Sequence, residues 1–505
     1  MASVLEPARE LDVLETVDVV VLGGGPGGWS AAVSAAREGA RTVLVERYGF
    51  LGGMGTEANV NQWSLRVMAP GIREPGPVVA GIAREVIDRM LPEHGLFEPA
   101  DVWQENLYSE IRWRTMFPYD PEVLKWVSLE LVQEAGVDLL LHTVALGVLK
   151  DGDRISHVTI QNKGGRAAIA GKVFVDATGD ADILAWSGGT FEVERERLGG
   201  TIIFWMGNVD LEEAAAYQDL SKMGALLRRA IDNGDLDWGA DLFYSPTVSY
   251  AQDQPLGFGF GMCHVPADYP AYYNRQSEIR VWAAHVRNPD VLSFEGMTHA
   301  EVEARRKVRS ITHFLQRYVP GFERAYVVSS GAQIGIRETR RSVGEYVLTA
   351  EDIRTGTRFP DVVARGVQEE FVHGYGTDPV FCPPHDVPYR SLLPRGPTNL
   401  IMSGRCISLS GHAAKLHSPR TQETCMAIGQ AAGIAAALAA GQDGDPRRVD
   451  VKELQRRLIA RGASLGDPAD RATLPLRGRP TDTTLVLEGD VVRRPSALTL
   501  SGHED

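Results

Sequence analysis

Residues 18–47, DVVVLGGGPGGWSAAVSAAREGARTVLVER, constrain the fold more than any other stretch. Asp18 to Leu22 is an apolar run of the kind buried on both faces of a parallel sheet. Gly23, Gly25 and Gly28 then satisfy G-x-G-x-x-G, a helix of small residues follows from about Gly27 to Glu38, and Gly39 sits where a C-terminal capping glycine belongs. A second strand, Arg41 to Val45, ends at Glu46. Bare glycines let main chain approach a pyrophosphate, the helix start offers partial positive charge, and the acid accepts hydrogen bonds from a ribose. A glycine triad alone also arises for packing, but strand, triad, helix, strand and acid in register read as a dinucleotide site. Glu46 favours an unphosphorylated ribose, as in FAD or NAD, over NADP.

The rest of the composition narrows the class. A chain of 505 residues is too long for one core and predicts two or three interlocked domains. A net charge of −14, with no basic patch, repels phosphate backbones and anionic lipid, so neither nucleic acid nor a membrane surface is an expected partner. The four cysteines, Cys263, Cys382, Cys406 and Cys425, show no C-x-x-C spacing, which leaves no zinc or iron–sulfur pattern and suggests a reduced, cytoplasmic chain. The opening MASVLEPARELDVLETVD lacks the basic start and apolar core of a secretory signal. The longest apolar run, Met426 to Ala440, is too short to span a bilayer and reads as a buried helix packed closely on another backbone.

The expected fold class is α/β: a Rossmann-type dinucleotide domain with an inserted mixed α+β substrate domain. The nucleotide domain is assembled from residues 15–60, 120–190 and 387–445, with an insertion or cap at 61–119, the substrate domain at 190–386, and a C-terminal helix and irregular tail at 446–505. Within this frame RYGFLGGMGT, which carries Arg47, Gly53 and Met54, is either a second loop reaching the cofactor or a plain surface turn. Pro121 to Gly136 is an amphipathic helix with Asp120 as its N-cap. VDLLLHTVALGVLKDG, RISHVTIQN and AAIAGKVFVDATGD read as successive strands.

Four stretches together resemble the FAD-dependent oxidoreductase family of the glutathione-reductase-like FAD-binding superfamily: the opening motif, FVDATGDADILAWSGG, GAQIGIRETRRSVGEYVLTAEDI, and the long segment from VPYRSLLPRGPTNLIMSGRCIS to AIGQAAGIAAALA. The resemblance runs from about Asp18 to about Leu465 and implies an extended FAD. It implies the backbone of Val144 at the adenine and the Ala177-Thr178-Gly179-Asp180 turn near the pyrophosphate. It also implies Gly404 and Arg405 along the flavin chain, and a helix from Thr421 aimed at the flavin ring. A second G-x-G-x-x-G for a separate NAD(P)H domain is missing; the GFGFG run at Gly257 has aromatic spacers and no acid-ended strand.

Oxidation by a flavin needs a substrate C–H held against the ring and a base for the companion proton. Histidine suits that task near neutral pH, and His373, His412 and His417 lie in or just before the flavin-proximal segment. Each could equally satisfy backbone groups around a turn. Arg420, at a helix start, is the candidate for binding an anionic substrate group, with Lys415 behind it. Arg337, Arg340 and Arg341 form either buried ion pairs or a carboxylate reader; Tyr389 and Trp205 line a pocket or fill the core.

The expected function is therefore an FAD-dependent oxidoreductase, oxidase or dehydrogenase, that removes a hydride equivalent from a small organic substrate and is reoxidised by oxygen or another acceptor. One alternative is a flavin monooxygenase or halogenase, although the G-W-x-W-x-I-P run is missing. Another is an electron-transfer flavoprotein subunit, which scattered cysteines disfavour; a flavin-binding scaffold is a third. Nothing in the chain specifies its assembly, and a homodimer is the default expectation.

Overall fold

The computed structural model describes residues 4–64, 78–93, 95, 116–215, 220–236, 277–370, 380–416, 418–466, 486–488 and 491–493. The Asp18 run lies inside β1 (Val13–Leu22), which leads into α1 (Pro26–Arg37), β2 (Thr42–Val45) and a short helix α2 (Met54–Glu57). Two minor strands, β3 (Gln62–Ser64) and β4 (Met116–Pro118), pair antiparallel. Helix Pro121–Glu134 follows, opened as expected by Asp120, whose side chain accepts from Glu122 N. The segment anticipated as one strand after it is split into β5 (Asp138–Leu140) and β6 (Val144–Asp151). The break falls at His142, with φ +48°, where the chain bonds back to β2: His142 N donates to Tyr48 O and Thr143 N to Glu46 O. β7 (Arg154–Asn162) and β8 (Gly165–Asp176) complete a meander.

One long strand joins two kinds of pairing. The first part of β8 pairs antiparallel with β7, while residues 168–176 run parallel to β1 and its last three residues also pair with a late strand at Leu400–Met402. The result is a seven-stranded sheet in which β5, β2, β1, β8 and that late strand are parallel and β6 and β7 extend the edge. Valines and leucines of β1 are buried throughout its second half, as a strand covered on both faces must be.

The face of this sheet is covered by α1 and helix Gln422–Ala440. That helix is long and apolar enough to cross a membrane by composition, and 83% of its apolar window is buried inside the protein. Its glycines explain why. A Cβ at Gly429 would lie 2.4 Å from Gly27 O, and one at Gly433 2.1 Å from Ala31 O, so the two backbones touch directly.

Downstream of helix Asp182–Trp186, β9 (Phe191–Val193) leads to β10 (Gly200–Gly207), β11 (Ile279–Val286) and β12 (Tyr326–Ser330), which form a second, three-stranded sheet. Helices Leu220–Asp232 and Gly296–Tyr318 pack on it around Phe204, Met206, Val281, Ile311 and Leu315. This second core ends near Ile336. After β13 (Arg340–Ser342), the chain rejoins the first core at Leu348, earlier than the expected return at Val387. The reason is apolar burial: Ile353, Phe359 and Val362 pack into the nucleotide-domain core, bringing with them the hairpin β14 (Val362–Glu370) and β15 (Val380–Pro388). The late strand is then β16 (Leu400–Met402). Ile82, Val86, Met90 and Trp63, expected in an insertion away from the sheet, also belong to the first core. The helix expected within 446–505 is found at Val451–Ala460.

Gly433→Ala, despite the better helix propensity of alanine, places a Cβ against main chain that cannot retreat and is expected to cost about 1–3 kcal/mol. Gly441→Ala, on the same helix with φ −74° and no atom nearer than 3.5 Å, is expected to be neutral or slightly stabilising. Urea unfolding midpoints of the two variants check this contrast.

Candidate functional site

A cleft of about 300 Å³ opens at the carboxyl ends of β1, β2 and β8, the place where parallel α/β sheets bind their ligands. The glycine turn forms its floor. Gly23 has φ +100°, and a Cβ there would lie 2.5 Å from Ala177 O; at Gly28 it would meet Gly23 O at 1.7 Å. These two glycines are therefore required by packing between strand, turn and helix. Gly25 differs: the nearest atom to a Cβ there is Gly53 Cα at 3.8 Å, so its main chain and the uncapped start of α1 border the cleft. Gly27 is pinned against Gly404 N, at 2.8 Å from its would-be Cβ.

Glu46 lies at the end of β2 and is buried, its carboxylate accepting from Gly24 N at 2.5 Å and Tyr48 N at 2.8 Å. Burial raises its affinity for a proton, and those two N–H donors work against the rise. Arg47 and Tyr48 both donate to Gln333 Oε1, at 2.8 and 2.5 Å, which ties the loop to the segment between the second sheet and β13. The corner at His142 and Thr143 delivers Val144 to the cleft wall.

The turn after β8 carries the other polar groups. Buried Asp176 holds it by accepting from the Thr178 hydroxyl and Leu184 N. Asp180 accepts from Arg405 Nη2 at 2.6 Å and from the Thr339 hydroxyl at 2.7 Å. Burial opposes its charge, but Arg405 and these bonds outweigh it and hold the carboxyl below the usual range. Arg405 also donates to Gly179 O at 2.8 Å and to Ile336 O, so one guanidinium joins three segments.

The last wall is the start of helix Gln422–Ala440. Thr421 caps it by accepting from Thr424 N, and Arg420, Gln422 and Cys425 line the cleft. Gln422 Oε1 accepts from Tyr119 Oη at 2.7 Å and Trp63 Nε1 at 3.3 Å, while its Nε2 donates to Val60 O at 2.5 Å, which fixes the amide orientation. Arg420 Nε donates to Ala414 O and Leu416 O. Burial pushes the Cys425 thiol up to about 12, so it is an un-ionised thiol at neutral pH.

Of the residues singled out from sequence, Gly23, Gly25, Gly27, Glu46, Arg47, Gly53, Met54, Val144, Ala177, Gly179, Asp180, Gly404, Arg405 and Arg420 all line this one cleft. Gly28 and Thr421 stand behind it as packing glycine and helix cap. His412 lies on the short helix Gly411–Lys415 and is not among the lining residues. His373 and His417 fall outside the described residues. Arg341 is buried and paired with Glu338, Glu192 and Glu194, and Arg340 pairs with Asp182, so both are tied up in ion pairs. Tyr389 and Trp205 are core residues.

Sequence reasoning passed over Glu57, although it stands in the same GGMGTE loop as Gly53 and Met54. It lines the cleft, is 3% exposed, and has Arg47 Nη2 at 3.9 Å. Burial, and then the neighbouring Glu46, raise its carboxyl to about 8.

A sheet with a parallel centre, a glycine turn and an acid at its carboxyl edge defines a dinucleotide-binding α/β protein. The chain belongs to the FAD dependent oxidoreductase family, whose profile matches residues 18–458, and FAD is its cofactor. The residues present fit that group: unwalled main chain at Gly25, a carboxylate at Glu46, and two helix starts bordering one cleft. The chain is 26% identical over 182 residues to the digeranylgeranylglycerophospholipid reductase of Thermoplasma volcanium, a match covering 35% of this chain and 42% of that one. It is 54% identical over 45 residues to the dihydrolipoyl dehydrogenase of Trypanosoma brucei brucei, covering 9% of each. The chain thus spans less than half the length of these curated relatives. A geranylgeranyl bacteriochlorophyll reductase-like protein of Thermoplasma acidophilum matches 89% of this chain and 84% of its own, at 15% identity and a TM-score of 0.40.

Arg405→Met leaves Asp180 without its main partner and frees three segments. The pair is partly exposed, so the expected loss is on the order of 2 kcal/mol, below the about 3–5 kcal/mol of a fully buried pair. Adding Asp180→Asn should recover part of it, which a double-mutant cycle on unfolding midpoints measures.

Proposed function

We propose that this protein oxidises a small organic substrate bearing an anionic group, by removing a hydride equivalent, and that oxygen or a separate acceptor takes the electrons onward. The observation that carries the reading is the single cleft that joins the dinucleotide-type floor at Gly25 and Glu46 to a wall bearing Arg420 and Gln422. Bound FAD supplies a two-electron acceptor for a hydride. The chain's own residues do the rest. Main chain at Gly23 and Gly25 faces the diphosphate, Glu46 accepts from the ribose, and Val144 borders the adenine. Gly404 and Arg405 follow the flavin chain, and the start of helix Gln422–Ala440 stabilises negative charge near the ring.

In this scheme Arg420 binds the substrate anion and orients the C–H bond that breaks. The companion proton leaves to a base, for which His412 and His417, on either side of Lys415, are the candidates, with His373 a third. A cytoplasmic location accords with the reduced, unpaired Cys406 and Cys425.

Anaerobic addition of a panel of small carboxylates and alcohols to the purified yellow protein tests the proposal. One class should bleach the visible flavin absorbance without added nicotinamide. Bleaching only by NADPH, with oxygen incorporated into product, would replace this reading by a monooxygenase. Arg420→Met should raise KM for the active anion by about 10²-fold, corresponding to about 2.7 kcal/mol, and Glu46→Ala should lower the flavin content of the purified protein.

A further inference from the structure

The cleft presents a charge problem around Glu57. The charged groups acting on it are Glu46, Arg47, Arg405 and Asp180, so three carboxyl groups, counting Glu57, face two guanidiniums. A dinucleotide diphosphate adds two more negative charges. The residues do not share this burden equally. Glu46 accepts from Gly24 N and Tyr48 N, bonds that favour its charged form against the effect of burial, and Asp180 is held low by Arg405 and the Thr339 hydroxyl. Glu57 has no hydrogen-bond donor among the described residues. Its nearest cation, Arg47, directs Nη2 to Gln333 Oε1 at 2.8 Å and reaches Glu57 only at 3.9 Å.

We propose that Glu57 binds the cofactor as a neutral carboxylic acid, donating its proton to an oxygen of the dinucleotide, so that FAD is held together with one proton. This rests on the cleft being the FAD site. A carboxyl that is buried, lines the cavity and has no hydrogen-bond donor among the described residues can turn from a repelling charge into a donor. Burial and the neighbouring Glu46 favour its protonated form before any ligand arrives.

Of the other carboxyls that burial raises on the cleft, Glu46 is bonded to two N–H donors and Asp182 is paired with Arg340. Tyr48 is pushed up to about 12 by burial and the Cys425 thiol likewise, Asp180 is held low, and Glu57 itself pushes the Arg47 guanidinium up against the effect of burial. From the second domain, Gln333 meets the Glu57 backbone, donating N–H to its carbonyl; helix Gly296–Tyr318 braces that segment through Glu301 on Ile334 N and Arg305 on Ser330 and Gly331.

The sign of the effect follows from linkage. Below the pH at which Glu57 ionises in the free protein, affinity for FAD is flat. Above it, the proton must be taken up on binding, and Kd rises about tenfold per pH unit. The experiment follows flavin fluorescence released from diluted holoprotein between about pH 6 and about pH 10, a span that brackets the ionisation. Wild type should lose FAD progressively on the alkaline side. Glu57→Gln, which keeps a neutral donor, should hold FAD with the same affinity across the range.

Flat wild-type affinity, or an unchanged alkaline slope in Glu57→Gln, would overturn the proposal. If Glu57→Gln does not fold, calorimetry of FAD binding to stripped wild-type protein in buffers of different ionisation enthalpy decides: uptake of about one proton per FAD on the alkaline side supports it, and none overturns it. A protein that retains no flavin at any pH would instead defeat the assignment of the cleft, a distinguishable failure.

Discussion

Contact between main chains, with no side chain in between, is the constraint on which this structure depends. Gly23 lies against Ala177, Gly27 against Gly404, and Gly429 and Gly433 against the backbone of α1. Each contact joins segments far apart in sequence: the turn after β1, the turn after β8, the turn after β16 and the last long helix. A Cβ at any of these glycines would meet main chain at 2.1–2.8 Å, too close unless one of the backbones shifts. The cleft is the space left where those turns converge, so its walls inherit their precision from glycine packing instead of from long side chains. This explains why a helix as apolar as Gln422–Ala440 belongs in the interior: its small residues are the only ones that fit at that distance from α1.

The polar groups then work on a frame already closed. Arg405 reaches Gly179, Asp180 and Ile336, and Gln333 receives both Arg47 and Tyr48, so the second domain is fastened to the nucleotide domain at the cleft itself. Gln422 is similarly fixed by Tyr119, Trp63 and Val60. Its oxygen accepts from two donors, and a rotated amide would set its NH₂ against both of them. The side chain that borders the cleft beside Arg420 is thereby held in one orientation.

The opening β-α-β unit was fully legible because every part of it carries a local signal: an apolar strand, glycines at fixed spacing, a small-residue helix, an acid. The Asp120 cap and the buried helix at the C-terminal end were legible for the same reason. The domain boundary at Val387 was not. The motif that ends at Ile353 gives no hint of which core it joins, and only three-dimensional burial of Ile353, Phe359 and Val362 shows that residues 348–364 belong with the first one. The split between β5 and β6 was hidden because His142 adopts a positive φ that its sequence does not advertise. At the site, Gly404 and Arg405 were reached through resemblance, whereas Glu57 was missed: a single acid in a loop has no periodicity, and its surroundings combine the nearby Glu46 and Arg47 with Asp180 and Arg405 from more than a hundred positions away.

That omission has a physical lesson for the cleft. Sequence patterns report on groups whose geometry is local, such as the ribose acid at the end of β2. They are blind to a charge whose state depends on other charges assembled by folding. Glu46 and Glu57 are eleven positions apart, yet they meet opposite environments. One is given backbone donors by the glycine turn and the residue after β2. The other is buried without a hydrogen-bond donor among the described residues. Two buried carboxyls that repel each other cannot both stay ionised at low cost, and N–H donors favour the charged form of the one that receives them. The glycine turn therefore does more than make room for a diphosphate. By donating Gly24 N to Glu46, it helps decide which acid in the cleft carries the proton.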